Sequence, residues 1–475
     1  MIRQAIKEYF GEFGKLTRLP REFWVIQALS VLFYLVFFSF TTASSLHSTY
    51  DAGFSDQGAG ILLGIVVFGA SALMIVTGPL VDRWGYRRSP LVAGIFLFIG
   101  LVGVTYSTHI FGATTLSRVL LIVFYIILAL GFGLMTTVIM AGVKWFSNKE
   151  TQAPAYNLWY LTMNLGAVMM FTLDFFRREL PEKPTEVDIL AYREAGGNFD
   201  LMMYFVIVTV IAWFAIYFFM KKTEKFRDFE PTDEMAPKAK QLPFVQGMKE
   251  MIRDRSLRKV FMLLILSIPA HMPFVFMVVL YPKFWTRAVD SEIQLGALES
   301  INPALIIVGL ILFAPVIKRF NIYWVLFTGM LIGGISMVFY AIPPQWVADI
   351  FGTNITNSYY ILIWAQILLF TTGEFIWSPA LANYMAEAAP KGKEGAFMGF
   401  GRVPFTIAKF VVSIGSGFLL AAFCPDGIRD QIDNGTLNYF KSPEFMFLIL
   451  TIVVLMSPVG LLVFKRYFYV EKKGS

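Results

Sequence analysis

Long apolar runs alternate with short polar stretches along almost the whole chain. Each run has roughly 18 to 28 residues, a length with which an α-helix crosses the hydrocarbon core of a bilayer. A soluble domain would instead show apolar and polar positions interleaved within each element. The pattern predicts an all-α membrane protein with twelve transmembrane helices in two groups of six, near 23–46, 57–81, 90–107, 116–143, 155–176 and 201–220, and near 258–281, 296–317, 321–342, 358–385, 396–422 and 443–464.

The two groups of helices also define a domain organisation. Before the first run, Ile2, Ile6, Phe10 and Phe13 recur at helical spacing among charged residues, which predicts a helix lying on the membrane surface. A frayed terminus is the alternative for this segment. The predicted parts are a cytoplasmic amphipathic helix (1–22), an N-terminal six-helix bundle (23–220), a cytoplasmic linker with a second amphipathic helix (221–257), a C-terminal six-helix bundle (258–466) and a cytoplasmic tail (467–475).

Composition supports a membrane protein and excludes several kinds of site. The chain is 57% hydrophobic and only 15% charged, against about a quarter charged in soluble proteins. Its single cysteine, Cys424, excludes an internal disulfide and a cysteine-based metal site, and three histidines argue against a histidine metal centre. Since no nucleophile–base pair or phosphate-binding loop stands at plausible spacing, we expect neither an enzyme nor a bound cofactor or metal.

The basic residues predict the orientation in the membrane. Short cytoplasmic loops are enriched in Lys and Arg, and here these residues fall in alternate loops. The loops 47–56 and 108–115, on the predicted outer side, contain neither Lys nor Arg. The outer loop 177–199 is an exception with four basic residues, but its acidic residues balance them. The net charge of +7 therefore reflects topology and not nucleic-acid binding. We expect both termini to be cytoplasmic, in a multi-pass protein of the cell (inner or plasma) membrane.

A loop motif follows the second apolar run. It reads Gly78-Pro-Leu-Val-Asp-Arg-Trp-Gly-Tyr-Arg-Arg-Ser-Pro90. This segment resembles the G-x-L-x-D-R-x-G-R-R loop of the major facilitator superfamily, with Tyr86 where a basic residue is common. The resemblance implies two pseudo-symmetric six-helix bundles around a central cavity. It also implies a cytoplasmic gate formed by Gly78, Asp82, Arg83, Gly85 and Arg87.

Two ionisable residues stand inside apolar helices of the second half. Glu374 lies within helix ten, and Lys409 lies at comparable depth within helix eleven. A charge at that depth costs at least about 2.5 kcal/mol, so such residues usually mark substrate or ion sites. Because the helices are consecutive, a direct Glu374–Lys409 ion pair is predicted. The alternative for Lys409 is that it reaches the membrane surface or only fixes helix packing.

Two segments resemble the proton-dependent oligopeptide transporters. Helix ten contains Gly373-Glu-Phe-x-x-Ser-Pro379, and helix five contains Tyr156-x-x-Trp-Tyr-x-x-x-Asn-x-Gly-Ala167. The tryptophan loop before helix five is also similar to the organophosphate:phosphate antiporters. The peptide-transporter resemblance implies that Glu374 contacts a substrate amino group, with Trp377 beside it. However, helix one lacks that family's E-x-x-E-R-F motif, and Thr136 stands where its helix-four lysine is expected.

Further polar residues are candidates for the same cavity. His271, between two prolines in helix seven, is interpreted either as a proton carrier or as a hydrogen-bonded core residue. Asn164 in helix five is interpreted either as a substrate contact or as a bridge between helices. Tyr34 offers a hydroxyl from helix one. Asp174 and Arg177, near the end of helix five, predict an interfacial ion pair.

Together these features predict a secondary active transporter. We expect it to move a small polar or zwitterionic organic solute by alternating access with protons, as a monomer in the bilayer. An anion exchanger or uncoupled facilitator is the alternative, and a receptor or lipid-handling protein on the same fold is another. The predicted substrate-binding residues are Glu374, Lys409, Tyr34, Asn164, His271, Trp377 and Thr136, of which Glu374 and His271 would couple protons.

Overall fold

The computed structural model describes residues 11, 13–148, 150–181, 183–220, 255–317, 320–388 and 403–468. Within these ranges the regular structure is helical. The long helices are α1 (Arg21–Leu46), α2 and α3 (together Asp56–Phe111), α4 (Thr115–Trp145), α5 (Gln152–Val168), α6 (Phe199–Phe219), α7 (Arg255–Val279), α8 (Leu295–Ile317), α9 (Ile322–Ser336), α10 (Ile355–Ala388), α11 (Val403–Phe423) and α12 (Pro443–Val463). Short helical segments include Glu186–Glu194, Pro344–Phe351 and Ile428–Asp433.

The prediction of twelve membrane-spanning helices is confirmed. Among the described residues, 11 helices are long and apolar enough to cross a membrane. The twelfth is α5, which has only 17 α-helical residues but continues as the 3₁₀ segment Met169–Phe175. The 3₁₀ geometry rises more per residue and extends this helix across the remaining thickness.

The connection between α2 and α3 differs from the prediction. The sequence predicts a loop of several residues, but the backbone is helical throughout Asp56–Phe111 except at Gly85, where φ is 78°. This value lies in the region that side chains with a Cβ disfavour, so a glycine permits the sharp turn. Next to it, Tyr86 is buried against Trp145 of α4, which accounts for an aromatic residue at a position where a basic one is common.

Glycines bring the two halves of the chain into close contact. A Cβ on Gly60 of α2 would lie 2.7 Å from the carbonyl oxygen of Ser413 on α11. Gly417, one turn further along α11, faces the Asp56 backbone in the same way. Small residues allow helix backbones to approach closely in membrane proteins. The α2–α11 contact therefore depends on the absence of side chains at these positions.

The helices present two sets of ends. We call the end formed by 47–55, 112–114, 176–198, 280–294, 342–354 and 424–442 the Asp56 end, and the opposite one the Arg83 end. At the Asp56 end, the predicted Asp174–Arg177 ion pair is not among the pairs of the described residues. Instead, the Asp174 carboxylate accepts the backbone N–H groups of Gly296 and Ala297 at 2.9 and 2.8 Å. Asp174 thereby caps the start of α8.

Several predictions lie outside the described residues. The first ten residues of the predicted N-terminal helix, the linker helix within 221–254 and the tail beyond 468 are among them. At Gly78 and Asp82 only the backbone, which is helical, is described. The domain boundaries and the roles of these two gate residues stay predictions.

Candidate functional site

Glu374 is held inside the protein by an asparagine that the sequence reasoning missed. The residue is 8% exposed, and its Oε2 accepts a hydrogen bond of 3.0 Å from Nδ2 of Asn302 on α8. The same amide donates to Thr371 Oγ1, one turn before Glu374 on α10. Asn302 therefore ties α8 to α10 and fixes the direction of the carboxylate.

A second unpredicted residue reaches this site from the N-terminal half. The hydroxyl of Tyr160 on α5 lies near Ser378 and Glu374 of α10. Asn164 donates its amide to the Tyr160 carbonyl oxygen at 2.8 Å. Asn164 thus bonds within its own helix, and the Tyr160 hydroxyl is the polar group of α5 that lies near Glu374.

His271 and Trp377 lie together against α11. The imidazole of His271 is 4.8 Å from the Trp377 ring and 5.5 Å from that of Phe405. Its Nδ1 is 2.7 Å from the carbonyl oxygen of Ser267 on the same helix. A carbonyl only accepts, so Nδ1 carries a proton, and in the neutral imidazole Nε2 is the acceptor. The pair forms an aromatic wall next to Glu374 on α10.

The predicted direct ion pair between Glu374 and Lys409 is not formed in this conformation. Among the described residues, the ion pairs do not include these two side chains. The Lys409 ammonium instead lies 4.4 Å from the centroid of the Phe405 ring and 5.6 Å from that of Phe37 on α1. Aromatic faces attract a cation electrostatically, which stabilises the ammonium between the two halves.

Two other predicted residues, Tyr34 and Thr136, make aromatic or backbone contacts and carry no charge. Tyr34 is buried in an aromatic cluster of the N-terminal half, with its ring stacked on Phe38 at 5.8 Å and 6.4 Å from Trp159. Thr136 donates its hydroxyl to the carbonyl oxygen of Phe132, one turn earlier in α4, at 2.8 Å. Neither supplies the cation that a helix-four lysine would bring.

Of the predicted gate residues at the Arg83 end, Arg87 contacts its own half. Arg87 donates to the Tyr217 carbonyl oxygen of α6 at 3.2 Å, and its guanidinium lies 5.6 Å from the Tyr217 ring centroid. Arg83 is exposed. In this conformation Arg87 anchors the α2–α3 turn to α6.

A charged network at the Asp56 end joins the two halves. The Asp56 carboxylate at the start of α2 accepts from Lys283 at 2.6 Å and from Arg287 in a two-bond arrangement at 2.7 and 3.0 Å. Both cations are almost fully buried, with exposed side-chain fractions of 1% and 2%. Arg287 and Tyr50 also bind Asp426 at 2.6 and 2.8 Å. We call these five residues the Asp56 network.

Some of the residues that the sequence reasoning missed could have been found from their polarity within apolar helices. Asn302 is a strongly polar residue inside an otherwise apolar helix, the same signal that identified Glu374. Glu299, three residues earlier, carries it as well. The Asp56 network had no such signal, because its residues stand at helix ends, where charge is ordinary.

Comparison with known proteins identifies the family. The Major Facilitator Superfamily model matches residues 28–413, whereas no curated protein matches the sequence significantly. Similar solved structures include a proton-dependent oligopeptide transporter studied for substrate recognition, with a TM-score of 0.67 at 15% identity over 94% of this chain and 99% of that one.

Two further structures show the same fold. A D-xylose-proton symporter has a TM-score of 0.63 at 17% identity over 95% of this chain and 99% of that one. A transporter of the proton-dependent oligopeptide family in complex with 5-aminolevulinic acid has a TM-score of 0.64 at 16% identity, covering 94% and 96%. With a family model that spans most of its length, this chain is a multi-pass membrane transporter of the major facilitator superfamily.

Proposed function

We propose that the protein is a secondary active transporter that moves a small zwitterionic or polar organic solute together with protons. The observation that carries this proposal is the buried Glu374 carboxylate, held by Asn302 beside the contact of α10 with α5. A carboxylate at this depth is costly unless a cation or a proton satisfies it. In a carrier, that requirement links substrate binding to proton binding.

The geometry suggests how a substrate amine would be recognised. Glu374 offers its charge, Asn302 orients it, and the rings of Trp377 and Phe405 provide faces that attract an ammonium group. When no amine is bound, a proton on Glu374 removes the unpaired charge. Glu374 therefore holds either the proton or the substrate cation, and this alternation is the proposed coupling step.

Two of the similar structures support this class of solute. One is described in complex with 5-aminolevulinic acid, a small molecule with an amino group and a carboxylate. The other is described as a sugar-proton symporter, which extends the fold's solutes to uncharged polar molecules. Because Glu374 is a carboxylate, we favour the amine-bearing solute for this chain.

We further propose that the Asp56 end faces the outside of the cell membrane and is closed in this conformation. The distribution of Lys and Arg between loops supports this orientation. The Asp56 network supports the closure, since its ion pairs and hydrogen bonds join the halves at that end. Solute held near Glu374 would then leave toward the cytoplasm.

Uptake into liposomes tests the function. Purified protein is reconstituted, an inward proton gradient is imposed, and uptake of radiolabelled 5-aminolevulinic acid and of a dipeptide is measured. We expect gradient-driven uptake by the wild type and its loss in Glu374→Gln. The matched control is Glu444→Gln, since Glu444 is a similarly buried acid that accepts a hydrogen bond from Tyr359 near the start of α10, about four turns from Glu374. Coupled uptake that survives in Glu374→Gln would overturn the role of this residue.

An uncoupled facilitator is the second candidate. It is favoured by α1, whose only acid, Glu22, lies in its first turn and not at membrane depth. For a facilitator, counterflow of the same solutes would proceed at full rate without a pH gradient, and an imposed gradient would not raise the final level of uptake.

A further inference from the structure

A second buried acid lies between the two halves, outside the candidate site. Glu299 on α8 is 2% exposed, and its Oε2 accepts a hydrogen bond of 2.6 Å from the Thr42 hydroxyl of α1. Its other oxygen, Oε1, is buried and has no hydrogen-bond partner among the described residues. A carboxylate with an unsatisfied buried oxygen is a costly arrangement unless it is neutral.

The groups around Glu299 do not supply a compensating positive charge. Within the described part of the chain it forms no ion pair, and the acid whose charge reaches it is Asp174, which occupies the start of α8. Arg177, a cation on the adjoining segment, donates to the Ile293 carbonyl oxygen at 2.7 Å and to Glu179 at 3.5 Å. The Tyr340 phenol also lies near, but it is uncharged near neutral pH and supplies no positive charge.

Glu299 is connected to the candidate site by its own helix. Residues three apart lie on the same face of an α-helix, so Glu299 and Asn302 face the same side of α8. Asn302 holds Glu374 of α10, a helix that packs on α8. One face of α8 therefore carries a contact with α1 and a contact with the proposed substrate carboxylate.

We propose that Glu299 is a second proton-binding site, protonated when the Asp56 end is closed and ionised when it opens. This inference rests on the proposed transport function, to which it adds the residue that senses closure. Closure removes Glu299 from water, and this loss of hydration favours the neutral acid more than the hydrogen bond from Thr42 favours the carboxylate. Opening hydrates Glu299 and favours the carboxylate. The closed state thus binds one more proton at this site, so acidification favours closure and alkalinity favours opening.

A distance measurement that needs no substrate tests the proposal. In a Cys424→Ser background, spin labels are placed at Glu186→Cys and Gln431→Cys, two exposed positions at the Asp56 end on opposite halves. Pulsed dipolar spectroscopy of the full chain in lipid nanodiscs is recorded from about pH 5 to about pH 9. We expect the short, closed distance to dominate at the acidic limit and its fraction to fall at least about twofold at the alkaline limit.

Substitutions identify the titrating residue. Glu299→Gln mimics the neutral acid, and we expect it to stay closed over the whole pH range. Thr42→Val keeps the acid and removes its partner, so it should favour the open state while the pH response remains. Glu444→Gln, at a buried acid whose partner Tyr359 belongs to its own half, should respond as the labelled wild type does. A pH response that persists in Glu299→Gln, or none in the labelled wild type, would overturn the proposal even if transport itself were demonstrated. If this response is seen but no solute is taken up, it is the proposed function that fails.

Discussion

At the scale of single residues, the Asn302 amide determines how Glu374 is presented. It donates to both Glu374 and Thr371, so its two hydrogen bonds set the distance between α8 and α10 at the site. A hydrogen bond to a charged group contributes roughly 1.5–3 kcal/mol, which makes this asparagine a large determinant of how the carboxylate meets a ligand.

We predict that Asn302→Leu weakens solute binding by about tenfold or more, because a leucine of similar volume removes the donor and leaves Glu374 unsupported. Isothermal titration or a thermal-shift titration with 5-aminolevulinic acid measures this affinity. Asn164→Leu is the matched control, since within the described part of the chain its amide donates to its own helix. Equal losses in the two variants would argue against a specific role for Asn302.

The residue scale also shows how far the sequence could predict the site. Glu374, Trp377 and His271 were identified from polarity at membrane depth and from the helix-ten motif, and the structure brings them together. Their partners could not be identified in that way. Whether Glu374 contacts Asn302 or Lys409 depends on how each helix is rotated and on the distances between helices. The hydrophobic periodicity of a single sequence predicts neither quantity.

At the scale of elements, helix contacts made by glycine control the joining of the halves. A Cβ added at Gly60 would collide with the Ser413 carbonyl oxygen, whereas a Cβ added at Gly415 on the facing helix would meet no atom within 4 Å. The number and type of helices followed from apolar run length. The sharp turn at Gly85 and the 3₁₀ end of α5 did not, since run length is insensitive to local backbone geometry.

We predict that Gly60→Val lowers the thermal midpoint of unfolding, whereas Gly415→Ala leaves it unchanged. Overpacking of a tight contact costs roughly 1–3 kcal/mol, and here backbone atoms and not flexible side chains would have to move. Melting of the detergent-solubilised protein, followed by tryptophan fluorescence, measures both variants. A midpoint for Gly60→Val equal to that of the wild type would show that α2 and α11 are not packed as described.

At the scale of the whole molecule, the Asp56 network holds the Asp56 end closed, and the buried Cys424 beside it can report when that end opens. Arg287 donates to the carbonyl oxygen of Cys424, whose side chain is fully buried. Burial raises the pKa of this thiol to about 12, so almost none is present as the reactive thiolate near neutral pH. Cys424 is also the only cysteine of the chain, so its alkylation reports opening at this end without engineered labels.

We predict that Asp56→Asn accelerates alkylation of Cys424 by a membrane-impermeant maleimide by about tenfold or more. The change leaves Lys283 and Arg287 buried with one carboxylate fewer, and breaking a buried ion pair typically costs about 3–5 kcal/mol. Lys183→Ala is the matched control, because the Lys183–Asp430 pair also joins the halves at 2.8 Å but is largely exposed and contributes little. Similar rates in the two variants would exclude the network as the main closure.

The π-helical segments His47–Asp51 and Trp285–Val289 give this closure a built-in symmetry. They come after α1 and α7, the first helix of each half, and supply Tyr50 and Arg287, which both reach Asp426. A π turn accommodates one residue more than an α turn, so deleting a residue from either segment would rotate the remainder of that segment by about 100°. One π-helical segment in each half thus directs one side chain, Tyr50 or Arg287, toward the same carboxylate, Asp426.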